Sequence, residues 1–399
     1  MSAAPTRTIR FTATQTDRVI AFTRVALAAL ALGACSGPIL SNPAALPGAP
    51  IVKPTPPAPR TDPQPIVFPR DDAPHDRLTE WWYVTGHLAT LDGAREFGYE
   101  AVVFRAERGA FPVTWASHVA LTEKPRGGSS GSFDYAQRSE VGAQVEIGAS
   151  LSVPVSAAFA ITGVDPLDRT TFDNEPWTMI VGRDGSMQIG AEQLALELAP
   201  SAPVLHDDDG WVDFADAGGS YYYSRTRMPT LGTVTVDGAP LAVRGSSWFD
   251  HQWGDFIAIG DGGWDWFALS LDDPSGRPID LMLSFVRAAD GSYPLVYGTW
   301  VAPNGVVERI SGDEIRLDAT GSWLSPATGT TWPSGWTLQI ESKGLRVTIT
   351  PELLDQELDT RATTGVIYWE GATRVSGTLG GEPVSGAAYV ELTGYASLR

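Results

Sequence analysis

From Glu80 onward, apolar and polar side chains alternate in short runs separated by turn residues, the period of half-buried strands. EWWYVTGHLATLDGAREFGYEAVVFRAE (80–107) reads as two strands joined at Leu91-Asp92-Gly93. WASHVALTEK (115–124) is a further strand, followed by a flexible break at Gly127–Ser132. The hairpin pattern returns around Asp184-Gly185 and Asp237-Gly238, each flanked by alternating apolar positions. A tryptophan-rich strand opens each half of this region, EWWYV and then GWDWFALSL (263–271), and hairpins follow both. Only about Pro351 to Leu358 carries a helical period. The pattern predicts an all-β protein of two antiparallel barrels or sandwiches packed together, which close or pair their edge strands. The expected boundary is near Ser224–Thr230, giving domains 66–228 and 229–399.

Composition supports this reading. With 42 Gly, 30 Pro and only 19% charged residues, short strands and tight turns are favoured over long amphipathic helices. Fourteen tryptophans call for large cores or an aromatic-lined cavity. A formal net charge of −19 argues against nucleic acid, whose phosphates need clustered Lys and Arg, and leaves no polybasic patch for anionic lipid.

The single cysteine, Cys35, excludes internal disulfides. It ends a segment in which Arg10, Arg18 and Arg24 precede the apolar run VALAALALGA, too short to span a bilayer and suited to a signal peptide. Leu32-Gly33-Ala34-Cys35 resembles the bacterial lipoprotein cleavage box, so residues 1–34 are expected to be removed and Cys35 lipidated; a plain secretory signal is the alternative. Ser36 rather than Asp after the cysteine favours the outer membrane. Residues 35–65 are too proline-rich to build a core and are expected to form a tether.

Familiar catalytic signatures fail: no GxGxxG opens a helix, and there is no phosphate loop, HExxH or nucleophile elbow. No histidines pair at metal-ligand spacing, so a zinc site would need distant partners and no metal is expected. His206 beside Asp207-Asp208-Asp209-Gly210 is the best cation candidate, although an acidic surface turn explains it as well.

What remains is ionisable groups on aromatic strands, where alternation sends every second side chain to one face. In SSWFDHQWGDF (246–256), His251 and Trp253 share a face with Phe249, while Asp250 and Gln252 point the other way with Trp248. Asp265 shares the face of Phe267, Leu269 and Leu271; Glu80 shares that of Trp82, and His87 that of Trp81 and Tyr83. Carboxyl groups on such faces have raised pKa values unless cations or donors compensate, which suits proton transfer to an apolar substrate. The bland reading stands beside it: His251 is a core histidine satisfied by a carboxylate, or Asp265 and Glu80 anchor turns or pair with an Arg such as Arg105.

Glu80-Trp81-Trp82-Tyr83 with GHL, FGYE with FR, Trp115-Ala116-Ser117-His118, SYYYSRTRM, SSWFDHQWGDF, GWDWFALSL and the closing YWEGA and GAAYVELTGY together resemble one family. It is the AttH-like, lipocalin-like secreted proteins often labelled predicted hydrolases, related to the carotenoid 1,2-hydratases; the resemblance runs from about Pro65 to the C-terminus. It implies a ligand site in or between two β-domains, and hydration or cyclisation of isoprenoid or polyketide-like molecules without a metal or redox cofactor. By resemblance, His251 and Trp253 beside Asp250 form the functional element, and Asp280 matches a downstream aspartate, with Pro278 where a tyrosine is expected. The expected catalytic set is Asp250, His251 and Asp265. The expected substrate-binding set is Trp253, Trp266, Trp82, Glu80, His118 and Asp280, with Trp253 and Trp266 placed to steady a carbocation. The alternatives are a carrier of lipophilic molecules at the outer membrane, which a transporter would partner, and a hydrolase.

Overall fold

The structure, a computed structural model, describes residues 61–108, 113–141, 145–146, 157–163, 177–215, 218–256 and 262–396. The expected signal peptide, Cys35 and the tether up to residue 60 lie outside the described residues. Among the described residues no helix is long and apolar enough to cross a membrane.

The first sheet comprises β1 (Thr79–Thr90), β2 (Glu96–Ala106), β3 (Thr114–Glu123), β4 (Ser132–Val141), β5 (Val145–Glu146), β6 (Ala157–Gly163) and β7 (Trp177–Gly182). It continues with β8 (Met187–Ala191), β9 (Leu194–Leu198), β10 (Pro203–Leu205), β11 (Trp211–Asp213), β12 (Gly219–Val236) and β13 (Ala239–Gly254). Its order is β4-β3-β2-β1-β13-β12-β9-β8-β7-β6-β5, with β10 and β11 beside β12. The second sheet comprises β14 (Gly263–Asp272), β15 (Pro278–Arg287), β16 (Leu295–Val301), β17 (Val307–Ser311) and β18 (Ile315–Leu324). To these it adds β19 (Thr331–Ile340), β20 (Leu345–Pro351), β21 (Glu357–Asp359), β22 (Ile367–Leu379) and β23 (Glu382–Thr393). Its order is β17-β16-β15-β14-β23-β22-β20-β19-β18, with β21 beside β22.

Both sheets are antiparallel and curl into half-barrels, the paired antiparallel architecture that the alternating pattern predicts and, as the resemblance implies, a lipocalin-like one. The curl of the first is visible where Arg138 of β4 reaches Glu192 (3.3 Å) and lies over the Trp177 ring of β7 (4.4 Å). In the second, Lys343 after β19 reaches Glu308 of β17 (2.8 Å). The predicted turns form where expected. At Asp237-Gly238 both residues have positive φ (52° and 75°), the two-residue I′ geometry that matches strand twist.

Three apolar layers result. One fills the first half-barrel around Trp82, Tyr223 and Phe249, and another fills the second around Phe267, Trp332 and Trp369. The third lies between the sheets and includes Tyr83, Tyr222, Trp248, Trp266 and Tyr389. β1 and the second half of β13, from Ser247 to Gly254, are therefore buried almost throughout, on both faces. The sheets approach closely at Gly98, where an added Cβ would sit 2.3 Å from that of Ala372.

The expected boundary at 228/229 falls inside β12, while the chain changes sheet between Gly254 and Gly263. A β-bulge between Arg225 and Met228 puts Arg227 at φ 49° and aims it across to the second sheet. There it donates to Asp280 (2.7 Å), Asp272 (3.0 Å) and the carbonyls of Leu271 and Ile279. Residues 351–358 form no helix: Pro351 ends β20 and Glu357 opens β21. The segment is pinned instead to β22, where Trp369 Nε1 donates to the Leu354 carbonyl (2.8 Å) and Leu358 is fully buried.

Candidate functional site

The strand register builds the site. Trp82 of β1, His251 of β13 and Tyr223 of β12 form one cross-strand row, and Glu80, Trp253 and Tyr221 form the next. Residues opposite one another in an antiparallel ladder share a face, so all six project into the first half-barrel. The intervening rows, with Asp250 and Tyr222, face the second sheet.

Within the half-barrel the polar groups form one continuous chain. His251 Nε2 lies 2.9 Å from Glu80 Oε1, and both side chains are 0% exposed. His75 reaches the same oxygen through Nδ1 (2.7 Å), and its backbone N–H donates to Glu80 Oε2 (2.8 Å). The other His75 nitrogen, Nε2, is 3.5 Å from Asp71, which Arg70 also holds. Past His251, Nδ1 lies 3.3 Å from the Tyr223 hydroxyl, which donates to Asp72; Arg225 donates to the same Asp72 oxygen (2.9 Å). Aromatic rings wall the chain. Trp253 stacks flat on His75 (4.1 Å, 1°), Trp82 on His251 (4.7 Å, 23°) and Tyr221 on Trp253 (5.2 Å, 16°).

Electrostatics assigns the protons. Burial pulls the His75 imidazole down, but carboxylates on both of its nitrogens outweigh it and leave its pKa above the ordinary value. Burial pushes Glu80 up, and the two imidazoles more than reverse this. His251 stays below its ordinary value because complete burial prevails over its bond to Glu80. The series therefore reads as imidazolium, carboxylate, neutral imidazole. A carboxylate only accepts, so His251 donates from Nε2 and its Nδ1 holds a lone pair.

Of the residues singled out in the sequence, Glu80, Trp82, His251 and Trp253 come together here. Asp250 does not join them. It faces the second sheet and accepts from Trp248 Nε1 (2.7 Å), Tyr222 and Ser224, and burial raises its pKa to about 6. Trp266 is on that side too, donating from Nε1 to Tyr222 (2.9 Å). Asp265 lies within the second half-barrel, bonded to Tyr395 (2.9 Å) and Tyr293 (3.1 Å), and burial pushes its pKa up against the opposing charge of Arg287. Asp280 belongs to the Arg227 clamp. His118 is buried between the sheets against Tyr368 and Thr363, with its pKa lowered by burial to about 3. Arg105 pairs with neither Glu80 nor Glu100, and instead donates to the Arg77 carbonyl and to Glu107. The His206 segment is the surface-turn alternative: His206 is buried on Ser224 and Thr299, and Asp207 pairs with Arg309.

Sequence reasoning missed His75, Asp71, Asp72, Tyr223 and Arg225. Tyr223 and Arg225 were accessible, since alternation through SYYYSR places them with Tyr221 on one face. His75 and the two aspartates precede the first strand, where no period applies. Only the nearness of His75 to Glu80 along the chain pointed to it.

Two curled antiparallel sheets packed face to face, with an aromatic-walled polar chain inside one, define a lipocalin-like protein. The chain belongs to the AttH-like family, whose model matches residues 59–395. It is similar to an AttH protein from Nitrosomonas europaea of known structure, at 27% identity over 85% of this chain and 100% of that one, with a TM-score of 0.68. It is also similar in fold to kievitone hydratase from Nectria haematococca, at 18% identity over 84% of this chain and 94% of that one, with a TM-score of 0.59. No curated protein matches the sequence.

Proposed function

We propose that this protein is an enzyme that performs acid–base chemistry on a hydrophobic isoprenoid- or polyketide-like molecule, using groups of its own chain. The observation that carries the reading is the relay His75–Glu80–His251 inside an aromatic wall. A charged imidazole, a carboxylate and a neutral imidazole in hydrogen-bond contact can give a proton at one end and accept one at the other. His75 is the one member in contact with solvent, its side chain 19% exposed. It is the donor in this reading: its proton adds to an alkene carbon or carbonyl oxygen, and Trp253, stacked on it, steadies the cation that forms. His251 Nδ1 takes the proton released when water adds or when a neighbouring carbon loses hydrogen, and Glu80 couples the two rings so that the pair is restored. Asp250 and Asp265, on other faces, have no part in the relay.

Hydration, the reaction in the name of kievitone hydratase, is the first to test. The protein is incubated with a panel of isoprenoid and polyketide-type alkenes in heavy-oxygen water, and label in the product is read by mass spectrometry. His251→Ala and Glu80→Gln are expected to lower turnover of an accepted substrate by about 10²-fold or more. A lipid that co-purifies, is recovered unaltered and binds equally well to His251→Ala would overturn the reading in favour of a carrier. Lipidation at Cys35 is part of the same proposal, holding the protein at the outer membrane where lipophilic molecules are handled and where a transporter could supply them. Labelled fatty acid should enter the wild-type protein and not Cys35→Ser. Hydrolysis ranks below hydration because, among the described residues, no serine, threonine or cysteine is hydrogen-bonded to the histidines of the relay.

A further inference from the structure

The relay has a second property that does not depend on catalysis. His75 Nδ1, Glu80 Oε1 and His251 Nε2 come from three separate segments, and all lie within 4.8 Å of one another. We infer that these three atoms form a binding site for a divalent first-row transition metal, held by two imidazoles and one carboxylate.

The donor set is of the right kind, since imidazole with carboxylate suits zinc, cobalt, nickel, iron and manganese. The spacing also fits. Nitrogen–oxygen separations of 2.7 and 2.9 Å are close to the roughly 3 Å between adjacent ligand atoms at right angles on an ion with bonds of about 2.1 Å. The groups behind the ligands point the same way. Metal-binding histidines commonly give their other ring nitrogen to a carboxylate or hydroxyl, which fixes ring and tautomer. Here His75 Nε2 faces Asp71 at 3.5 Å, and His251 Nδ1 faces Tyr223 at 3.3 Å, backed by Asp72. Both rings are clamped by indoles, and Glu80 Oε2 is anchored on the His75 amide, so the three inward atoms are positioned by bonds elsewhere.

Charge favours the same occupant. Asp71, Asp72 and Glu80 surround the two imidazoles, and Arg225 and the outer Arg70 are the basic side chains bonded to them. A divalent ion would replace the two protons that now bridge the rings to Glu80, so ion and relay are alternative occupants of one set of atoms. The partly exposed His75 provides the entry path that a buried site requires.

The test uses the full chain, cleared of metal with a chelator and titrated with zinc and then with cobalt. Calorimetry should show one ion per chain, and bound cobalt should give visible absorption bands of a nitrogen–oxygen site. His75→Ala, Glu80→Gln and His251→Ala should each weaken binding at least tenfold, whereas His87→Ala, on the opposite face of β1, should leave it unchanged. His75 lies outside the sheets and is the partly exposed ligand, so His75→Ala is the variant expected to lose least stability and to remain folded, and the result stands even if a buried variant unfolds. Absence of stoichiometric binding, or binding indifferent to all three substitutions, would overturn the inference. Binding is read without any substrate, which keeps the site and the proposed function apart. An active protein that takes up no ion removes the site alone, and a protein that takes up the ion yet is inactive when ion-free removes the function alone.

Discussion

At the scale of single residues, Glu80 is the keystone of the first half-barrel. It accepts two imidazole N–H groups and one backbone N–H, so removing its charge leaves three buried donors short of a partner. Buried charge networks lose most when one member is taken away, because the remaining groups keep their desolvation cost. Glu80→Gln keeps the shape but lowers the acceptor strength, and Glu80→Ala removes the acceptor altogether. We expect Glu80→Ala to destabilise the protein by about 3 kcal/mol or more and Glu80→Gln by distinctly less, read as shifts in chemical denaturation midpoints. Equal stability of Glu80→Ala and wild type would mean that the relay is not formed in solution. Tyr223→Phe makes a finer test. It removes only the hydroxyl between His251 and Asp72, so the expected cost is about 1 kcal/mol, with a change in the His251 ring resonances in NMR spectra.

At the scale of elements, the fold was legible and the site half legible, for one reason. Strands announce themselves through alternation and hairpins through Asp-Gly, and both signals are local. Alternation also divided Ser246–Phe256 as the structure does, with His251 and Trp253 on one face and Asp250 on the other. It does not say which face meets which layer. Asp250 and Asp280 resemble the candidate-site residues because the space between the sheets is as aromatic as the half-barrel interior, and Asp265 does because the second half-barrel is aromatic too. Nor does it reach His75, which precedes β1. Sheet–sheet contact is likewise invisible to periodicity, although Gly98 records it. Replacing Gly98 by Ala should destabilise by about 1–3 kcal/mol, since its new methyl meets Ala372. Pairing it with Ala372→Gly returns the lost space, so the double variant should recover most of that loss in a thermal-melt cycle. Additive losses in the double variant would place the strain elsewhere.

At the scale of the whole molecule, the two half-barrels meet across a layer rich in acids. Asp250, Glu100, Glu370 and Glu391 face it with tyrosines around them, and the hydrogen bonds to Glu100 and Glu370 come from Tyr368 and Tyr83 rather than from basic side chains. Burial is the largest cause of the raised pKa of each, reaching about 6 for Asp250 and about 7 for Glu391, with Glu100 and Glu370 raised well above their ordinary value. For an acid whose folded pKa exceeds the unfolded one, the folded state binds the proton more tightly. Its contribution to stability is complete below the unfolded pKa near 4 and is lost as pH rises through the folded value. Asp71 and Glu80 act in the opposite sense, their pKa values lowered by their imidazole partners, and their contribution fades only as pH falls below about 4. His87, His118 and His206 are held neutral by burial, with pKa values lowered to about 3. They add stability as pH rises toward about 6.5 and offset the carboxyl loss there, so stability should fall most clearly between about pH 6.5 and 8. The slope is about 1.4 kcal/mol per pH unit for each proton released on unfolding. Glu391→Gln, which cannot ionise, should lose less stability than the wild type as pH rises from about 5 to 7 while leaving the acid limb in place. Denaturation midpoints measured across pH 4 to 8 for both proteins decide it: parallel curves would mean that Glu391 is solvated in the folded state and that the layer between the sheets admits water.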